Sequence, residues 1–63
     1  MRFTYRIFTV VKDEYYTNVW HITKTSGDRI YYPDGSSCEC CTISADSDVE
    51  VMNFIDRVFF GGH

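Results

Sequence analysis

The three cysteines of the chain lie in the segment SSCECCT, at positions 38, 40 and 41. Thiolates bind zinc and take part in thiol–disulfide exchange, so this segment is the first candidate for chemistry. In a strand, alternation places Cys38 and Cys40 on one face and Cys41 on the other. A structural zinc site needs four converging thiolate or imidazole ligands, usually arranged as C-x₂₋₄-C pairs. The spacing C-x-C-C therefore favours small apolar side chains packed in and beneath a sheet.

A thiol or zinc module built on Cys38, Cys40, Cys41 and His21 is the alternative hypothesis for the same segment. A disulfide between Cys40 and Cys41 would strain the peptide, and an extended strand holds Cys38 and Cys40 too far apart. A redox-active pair normally reads C-x-x-C beside a helix N-terminus. The sequence therefore predicts no cofactor and no metal.

His21 is the second candidate for chemistry. As a catalytic base it needs a nucleophile, which a cysteine would supply, and an orienting carboxylate, for which Asp28 and Glu39 are the candidates. The chain contains no phosphate loop, dinucleotide fingerprint, nucleophile elbow or metalloprotease helix. The sequence therefore predicts that the protein is not an enzyme and that His21 is a packed or surface strand residue.

The carboxylates are concentrated in the second half of the chain. Residues 1–31 carry five basic and three acidic residues, whereas residues 32–63 carry one basic and six acidic residues. This asymmetry is typical of a polarised surface whose acidic end meets a basic partner. With a pI of about 5.0 and no basic stripe, direct binding of nucleic acid is disfavoured.

Alternating apolar and polar residues predict the strands that position these side chains. The predicted strands span residues 2–11, 15–25, 29–32 and 37–43. The turn at 33–36 has specific chemistry, since Pro33 fixes φ and Gly35 accepts a positive φ. In the first strand, the face predicted to meet the core consists of Phe3, Tyr5, Ile7, Thr9 and Val11.

The last third of the chain changes to a helical period. Ser47 and Glu50 form a capping box, Asp46 and Asp48 favour a helix N-terminus, and glycines at 61–62 end the helix. Its apolar stripe consists of Val51, Met52, Phe54, Ile55, Val58 and Phe59. The sequence therefore predicts one α+β domain over residues 1–63, a four-stranded antiparallel meander with one C-terminal amphipathic helix on one face.

One helix covers only one face of such a sheet, so the other face is predicted to expose aromatic residues, including Phe8 and Tyr31. Aromatic residues interleaved with arginines suit a protein-binding hot spot. They also suit a platform for RNA or single-stranded DNA, which is a second alternative hypothesis. A homodimer that seals this face is compatible with each use and would relieve the marginal core of a short chain.

We expect a small cytoplasmic binding protein that occludes a partner macromolecule, most simply another protein with a basic surface. Met1 leads directly into a strand pattern and no run of 18 apolar residues occurs, so no membrane segment is expected. The odd number of cysteines fits a reducing compartment. In length, missing catalytic motifs and acidic second half, the chain resembles phage-encoded inhibitors of host nucleic-acid-binding or defence proteins. The residues predicted to bind the partner are Asp46, Asp48, Glu50, Asp56, Phe60, Phe8 and Tyr31.

Overall fold

The computed structural model describes residues 1–61. The elements among these residues are β1 (Arg2–Tyr5), β2 (Phe8–Lys12), β3 (Val19–Lys24), β4 (Ile30–Tyr31), β5 (Ser37–Cys38), β6 (Cys41–Ser44) and α1 (Asp48–Phe59). Strands β1, β2, β3 and β6 form an antiparallel sheet in that order, and β4 and β5 form a second, two-stranded sheet. The predicted α+β class, a four-stranded antiparallel sheet with one C-terminal helix, is confirmed.

The first predicted strand is a tight hairpin. Arg6 and Ile7 connect β1 to β2, and Arg6 has a φ of 53°. A positive φ at the first of two loop residues is typical of type II′ hairpin turns, where Gly is the usual residue. The register pairs Tyr5 with Phe8, so an odd-numbered and an even-numbered residue share a face. The single strand predicted over 2–11 is therefore wrong, and its face assignment is reversed after the turn.

The covered face of the large sheet carries the core. The buried hydrophobic residues are Phe8, Val10, Trp20, Ile22, Ile30, Cys41, Ala45, Val51 and Ile55. Ile7 and Val11 were predicted to face the core, but they are exposed. After the two-residue turn, the even-numbered residues of β2 face the core instead of the odd-numbered ones. The indole N–H of Trp20 donates to the Ala45 carbonyl at 3.0 Å, which satisfies the polar atom of this buried side chain.

The third predicted strand leaves the large sheet and pairs with β5 instead. The connecting turn at 33–36 forms as predicted, with Gly35 at a φ of 94°. Ile30 is fully buried, and the ring of Tyr32 lies 5.3 Å from that of Phe59, measured between centroids. The small hairpin therefore packs against the C-terminal end of α1 and helps it to cover the core.

Helix α1 begins where the capping box predicts. The hydroxyl of Ser47 accepts the N–H of Glu50, and the Glu50 carboxylate accepts the N–H of Asp46, one residue before the cap. After the helix, Gly61 has a φ of 72°, which suits its predicted role as a stop signal, whereas Gly62 lies outside the described residues. Within residues 1–61 no helix is long and apolar enough to cross a membrane.

Candidate functional site

The uncovered face of the large sheet is polar. By strand alternation its side chains belong to Arg2, Thr4, Thr9, Val11, Val19, His21, Thr23, Thr42 and Ser44. Phe8, predicted to lie there, is 1% exposed in the core, and Tyr31 is 63% exposed but belongs to β4. The prediction of an uncovered aromatic sheet face is therefore wrong, because the turn at Arg6 moves Phe8 to the other side. A base-stacking platform has no aromatic residues to use on this face.

His21 forms the centre of a hydrogen-bonded chain on the uncovered face. Its Nε2 lies 2.8 Å from Oδ1 of Asp13, and its Nδ1 lies 3.2 Å from Oγ1 of Thr42. The other oxygen of Asp13 accepts the backbone N–H groups of Tyr15 and Tyr16 at 2.9 and 2.8 Å. These hydrogen bonds, the one from His21 first, lower the pKa of Asp13 to about 2.

A carboxylate, an imidazole and a hydroxyl in this order match the components of a nucleophilic triad. The carboxylate is Asp13, whereas the predicted candidates are engaged elsewhere: Asp28 with the hydroxyl of Ser26, and Glu39 with a guanidinium at 3.6 Å. No thiol takes part, because Cys41 faces the core on the other side of the sheet. Both oxygens of Asp13 are used to hold the loop after β2 against β3, so the geometry accounts for a structural role.

The three cysteines occupy three different environments. Cys38 is half-buried, Cys40 is exposed and Cys41 is buried, and all three are free thiols. The segment is not one continuous strand, because β5 ends at Cys38 and β6 begins at Cys41, so the alternation predicted for it is wrong. In the described part of the chain, no group of three His, Cys, Asp or Glu residues is arranged to hold a metal ion. His21, the fourth residue of the alternative zinc hypothesis, lies on the opposite face from Cys41.

Tyr32 links two of these thiols, a contact that the sequence analysis missed. The S–H of Cys38 donates to the Tyr32 hydroxyl at 3.7 Å, and the Cys41 thiol lies near the same hydroxyl. Interaction with Cys41 and then burial raise the pKa of Tyr32, and burial raises the pKa of Cys41. A signal was present in the spacing, since Cys38 and Cys41 are themselves a C-x-x-C pair.

The acidic residues predicted to bind a partner fall into two groups. The first group surrounds the N-terminus of α1 and consists of Asp46, Asp48 and Glu50. The second is Asp56 alone, whose carboxylate accepts the hydroxyl of Tyr5 at 2.8 Å and the Nε–H of Arg6 at 2.7 Å. The guanidinium of Arg6 also lies 4.3 Å from the ring centroid of Phe60. Asp56 and Phe60 thus hold the β1–β2 hairpin against the helix, and they are engaged within the chain.

A cleft of about 280 Å³ opens between α1 and β6. Its lining consists of Ile43, Ser44, Ala45, Glu50, Asn53, Phe54 and Arg57. Ile43 and Phe54 are half-buried and supply apolar surface, and the Arg57 guanidinium lies 6.0 Å from the Phe54 ring centroid. Most of the lining surface is polar, so the cleft differs from the mostly apolar pockets that hold small molecules, and Ile43 and Phe54 form a small apolar part of it.

The edge of β6 beside this cleft carries outward-facing backbone groups. The N–H of Ala45 donates to the carbonyl of Asn18 at 2.8 Å, just beyond the end of the β3–β6 ladder. Because inward and outward residues alternate in an antiparallel pair, Ile43 also bonds inward, and Thr42 and Ser44 point their N–H and C=O groups away from β3. Such an edge is a template for an added strand.

Only Glu50 among the cleft residues was predicted to bind a partner. Asn53 and Arg57 lie outside the predicted apolar stripe of the helix, and the structure places both of them in the cleft between α1 and β6. The position at which a helix crosses a sheet is set by tertiary packing, so no local signal reveals it. No protein-family model, curated protein or solved structure matches this chain.

Proposed function

We propose that this chain is a non-enzymatic binding protein that captures an extended, basic segment of another protein along β6 and so occludes it. The observation that carries the proposal is the juxtaposition of an open strand edge, at Thr42 and Ser44, with a cleft that contains Ile43 and Phe54. Strand addition uses these two components: backbone hydrogen bonds give affinity, and a pocket for alternate side chains gives specificity.

The charge around the cleft favours a basic occupant. Glu50 lines the cleft. Asp46 and Asp48 follow the end of β6 by two and four residues, and the exposed Glu39 precedes its start by two residues. Arg57 is the basic member of the lining. A lysine or arginine on the added strand is therefore attracted to the carboxylates, and this attraction speeds association more than it tightens the complex.

We propose that the protein acts in the cytoplasm, because its three thiols are free and a reducing compartment keeps them so. The likeness in type to phage inhibitors extends the proposal to the partner. The occluded segment would then belong to a surface that binds nucleic acid, with carboxylates of this chain standing where phosphates otherwise bind. Basic surfaces of that kind are rich in the lysines and arginines that the charge requires.

A titration with a peptide of defined composition tests the site. The probe is a short peptide of alternating Lys and Val residues, added to isotope-labelled protein and followed by NMR. The amide signals of Thr42 and Ser44 are expected to shift and to gain protection from hydrogen exchange, because their N–H groups bond to the added strand. The affinity is expected to fall as salt is added, because salt screens exposed charges.

A pair of variants at one position isolates the backbone contribution. Ser44→Pro removes an outward N–H and breaks no bond to β3, since proline is tolerated where the N–H of an edge strand faces solvent. Peptide binding is expected to weaken by about tenfold, which corresponds to roughly one hydrogen bond of about 1.4 kcal/mol. Ser44→Ala keeps the N–H and is expected to bind like the wild type. Equal binding by the two variants, or peptide shifts confined to the loop at Tyr15 and Tyr16, would contradict the assignment to β6.

A further inference from the structure

We infer that Cys38 and Cys41 form a reversible disulfide, so that the link between β5 and β6 is a thiol–disulfide site. The inference is independent of the proposed binding function. Cys38 is the last residue of β5 and Cys41 is the first of β6, with Glu39 and Cys40 between them. In this link the chain bends as it leaves the small sheet and enters the large one. Because of this bend, Cys38 and Cys41 are closer together than the same spacing in an extended strand would place them.

A shared contact brings the two sulfurs together. Cys38 Sγ lies 3.7 Å from the hydroxyl oxygen of Tyr32, and the Cys41 thiol lies near enough to the same hydroxyl for each of these two groups to shift the pKa of the other. Tyr32 is fixed in turn by its ring contact with Phe59. The two thiols therefore share one neighbouring hydroxyl group. Formation of the disulfide requires rotation of both cysteine side chains and displacement of that hydroxyl.

The third cysteine is a poorer partner for either of the other two. Cys40 is exposed while its neighbour Cys41 is buried, so their side chains point in different directions. A disulfide between adjacent residues also strains the intervening peptide. The pairing that the structure favours is therefore Cys38 with Cys41, and Cys40 stays a free thiol.

The chemistry is thiol–disulfide exchange with an external disulfide, for which oxidised glutathione is the probe. The more accessible Cys38 thiolate attacks one sulfur of the probe, forms a mixed disulfide and expels one glutathione thiolate, which takes up the proton that Cys38 lost. Cys41 then attacks the Cys38 sulfur and expels the second glutathione, which takes up the Cys41 proton. Two protein thiols are oxidised and one external disulfide is reduced to two thiols.

Tyr32 acts as a positioning residue in the second step. The nearby Tyr32 hydroxyl acts to lower the pKa of Cys41, because hydrogen bonding to the sulfur favours the thiolate that must form there. Burial of Cys41 opposes formation of that thiolate, so the second step is expected to be the slower one. Tyr32→Phe keeps the ring against Phe59 and removes only the hydroxyl. We expect this variant to accumulate the mixed disulfide at Cys38, and equal rates in the variant and the wild type would overturn the role of the hydroxyl.

Mapping by mass spectrometry tests the pairing on the folded chain of residues 1–63. The protein is treated with oxidised glutathione, its remaining thiols are alkylated, and it is cleaved after glutamate. Because Glu39 lies between Cys38 and the other two cysteines, the fragments on either side stay joined only if Cys38 is cross-linked. The expected result is joined fragments with one alkylated cysteine, at Cys40.

Single substitutions complete the test. Cys40→Ser is expected to lose both remaining thiols to one disulfide, as the wild type loses two of three. Cys38→Ser is expected to keep its fragments separate after cleavage. Three alkylated thiols in the treated wild type, a bond between Cys40 and Cys41, or failure of Cys40→Ser to cross-link would each overturn the inference.

Discussion

Asp13 is the residue whose removal has the clearest pH signature. Its pKa is about 2, against an ordinary 3.8, because His21 and two backbone N–H groups bond to the charged carboxylate. A lowered carboxyl pKa stabilises the fold above pH 3.8, and that contribution is lost as the pH falls from 3.8 toward 2. Asp13→Asn is therefore expected to melt at a lower temperature than the wild type at pH 7. The difference between the two melting temperatures is expected to shrink as the pH falls from 3.8 toward 2, and thermal melts followed by circular dichroism measure it.

Glu14→Gln is the matched control for this prediction, since it removes a neighbouring, exposed carboxylate. Its melting temperature is expected to follow that of the wild type at every pH. If the deficit of Asp13→Asn stays the same down to pH 2, the lost charge is not its cause.

Arg6 shows how one residue can hold a turn that its own type does not favour. Its positive φ would suit glycine, yet the side chain is bonded to Asp56 and stacked on Phe60. A left-handed backbone in a residue other than glycine persists when its surroundings specify it. The contacts with α1 therefore connect the geometry of the β1–β2 turn to the packing of the helix.

At the scale of elements, Ile30 is the fully buried residue of the small β4–β5 hairpin, and Tyr32 and Cys38 pack against the core beside it. Ile30 is 0% exposed, and its neighbour Tyr31 is 63% exposed. Ile30→Ala is expected to lower the free energy of unfolding by about 2–5 kcal/mol, through lost burial and a residual cavity. Tyr31→Ala, in the same strand, is expected to change it by less than about 0.5 kcal/mol. Urea unfolding measures both, and equal effects would show that the hairpin is not anchored through Ile30.

Elements with their own chemical signals were predictable from the sequence. The capping box placed the start of α1 at Ser47, and the Pro-Asp-Gly sequence placed the turn at 33–36. The turn at Arg6 and Ile7 contains no glycine, proline, asparagine or aspartate, so the strand pattern ran through it without interruption. Because this turn was not predicted, Ile7 and Phe8 were assigned to the wrong faces. The uncovered face of the large sheet was therefore expected to be aromatic.

The candidate sites were less predictable because they join residues that are distant in the chain. Asp13 bonds to His21 because β2 and β3 pair in one particular register. Arg57 and Ile43 line the same cleft because the helix lies beside β6. The contact between Tyr32 and Cys41 depends on the departure of β4 and β5 from the main sheet. None of these arrangements follows from periodicity or turn chemistry alone.

At the scale of the whole molecule, two aspartates, Asp46 and Asp28, lie near opposite ends of the large sheet. Asp46 follows Ser44, which pairs with Val19 at the start of β3, whereas Asp28 lies beyond the other end of that strand. A strand of six residues spans about 17 Å at roughly 3.3 Å per residue. This separation exceeds the screening length of about 10 Å at 0.1 M salt, so a charge change at one end is weakly felt at the other.

Reversing one charge at each end therefore tests whether docking is local to the β6 edge. Asp46→Lys is expected to slow association of the alternating Lys and Val peptide several-fold and to flatten its salt dependence, because it weakens long-range attraction at the cleft. Asp28→Lys makes the same change in net charge and is expected to leave the rate close to that of the wild type. Stopped-flow fluorescence with a labelled peptide measures both rates. Equal slowing by the two variants would make net charge the determinant, and unchanged rates in both would remove electrostatic steering from the binding proposal.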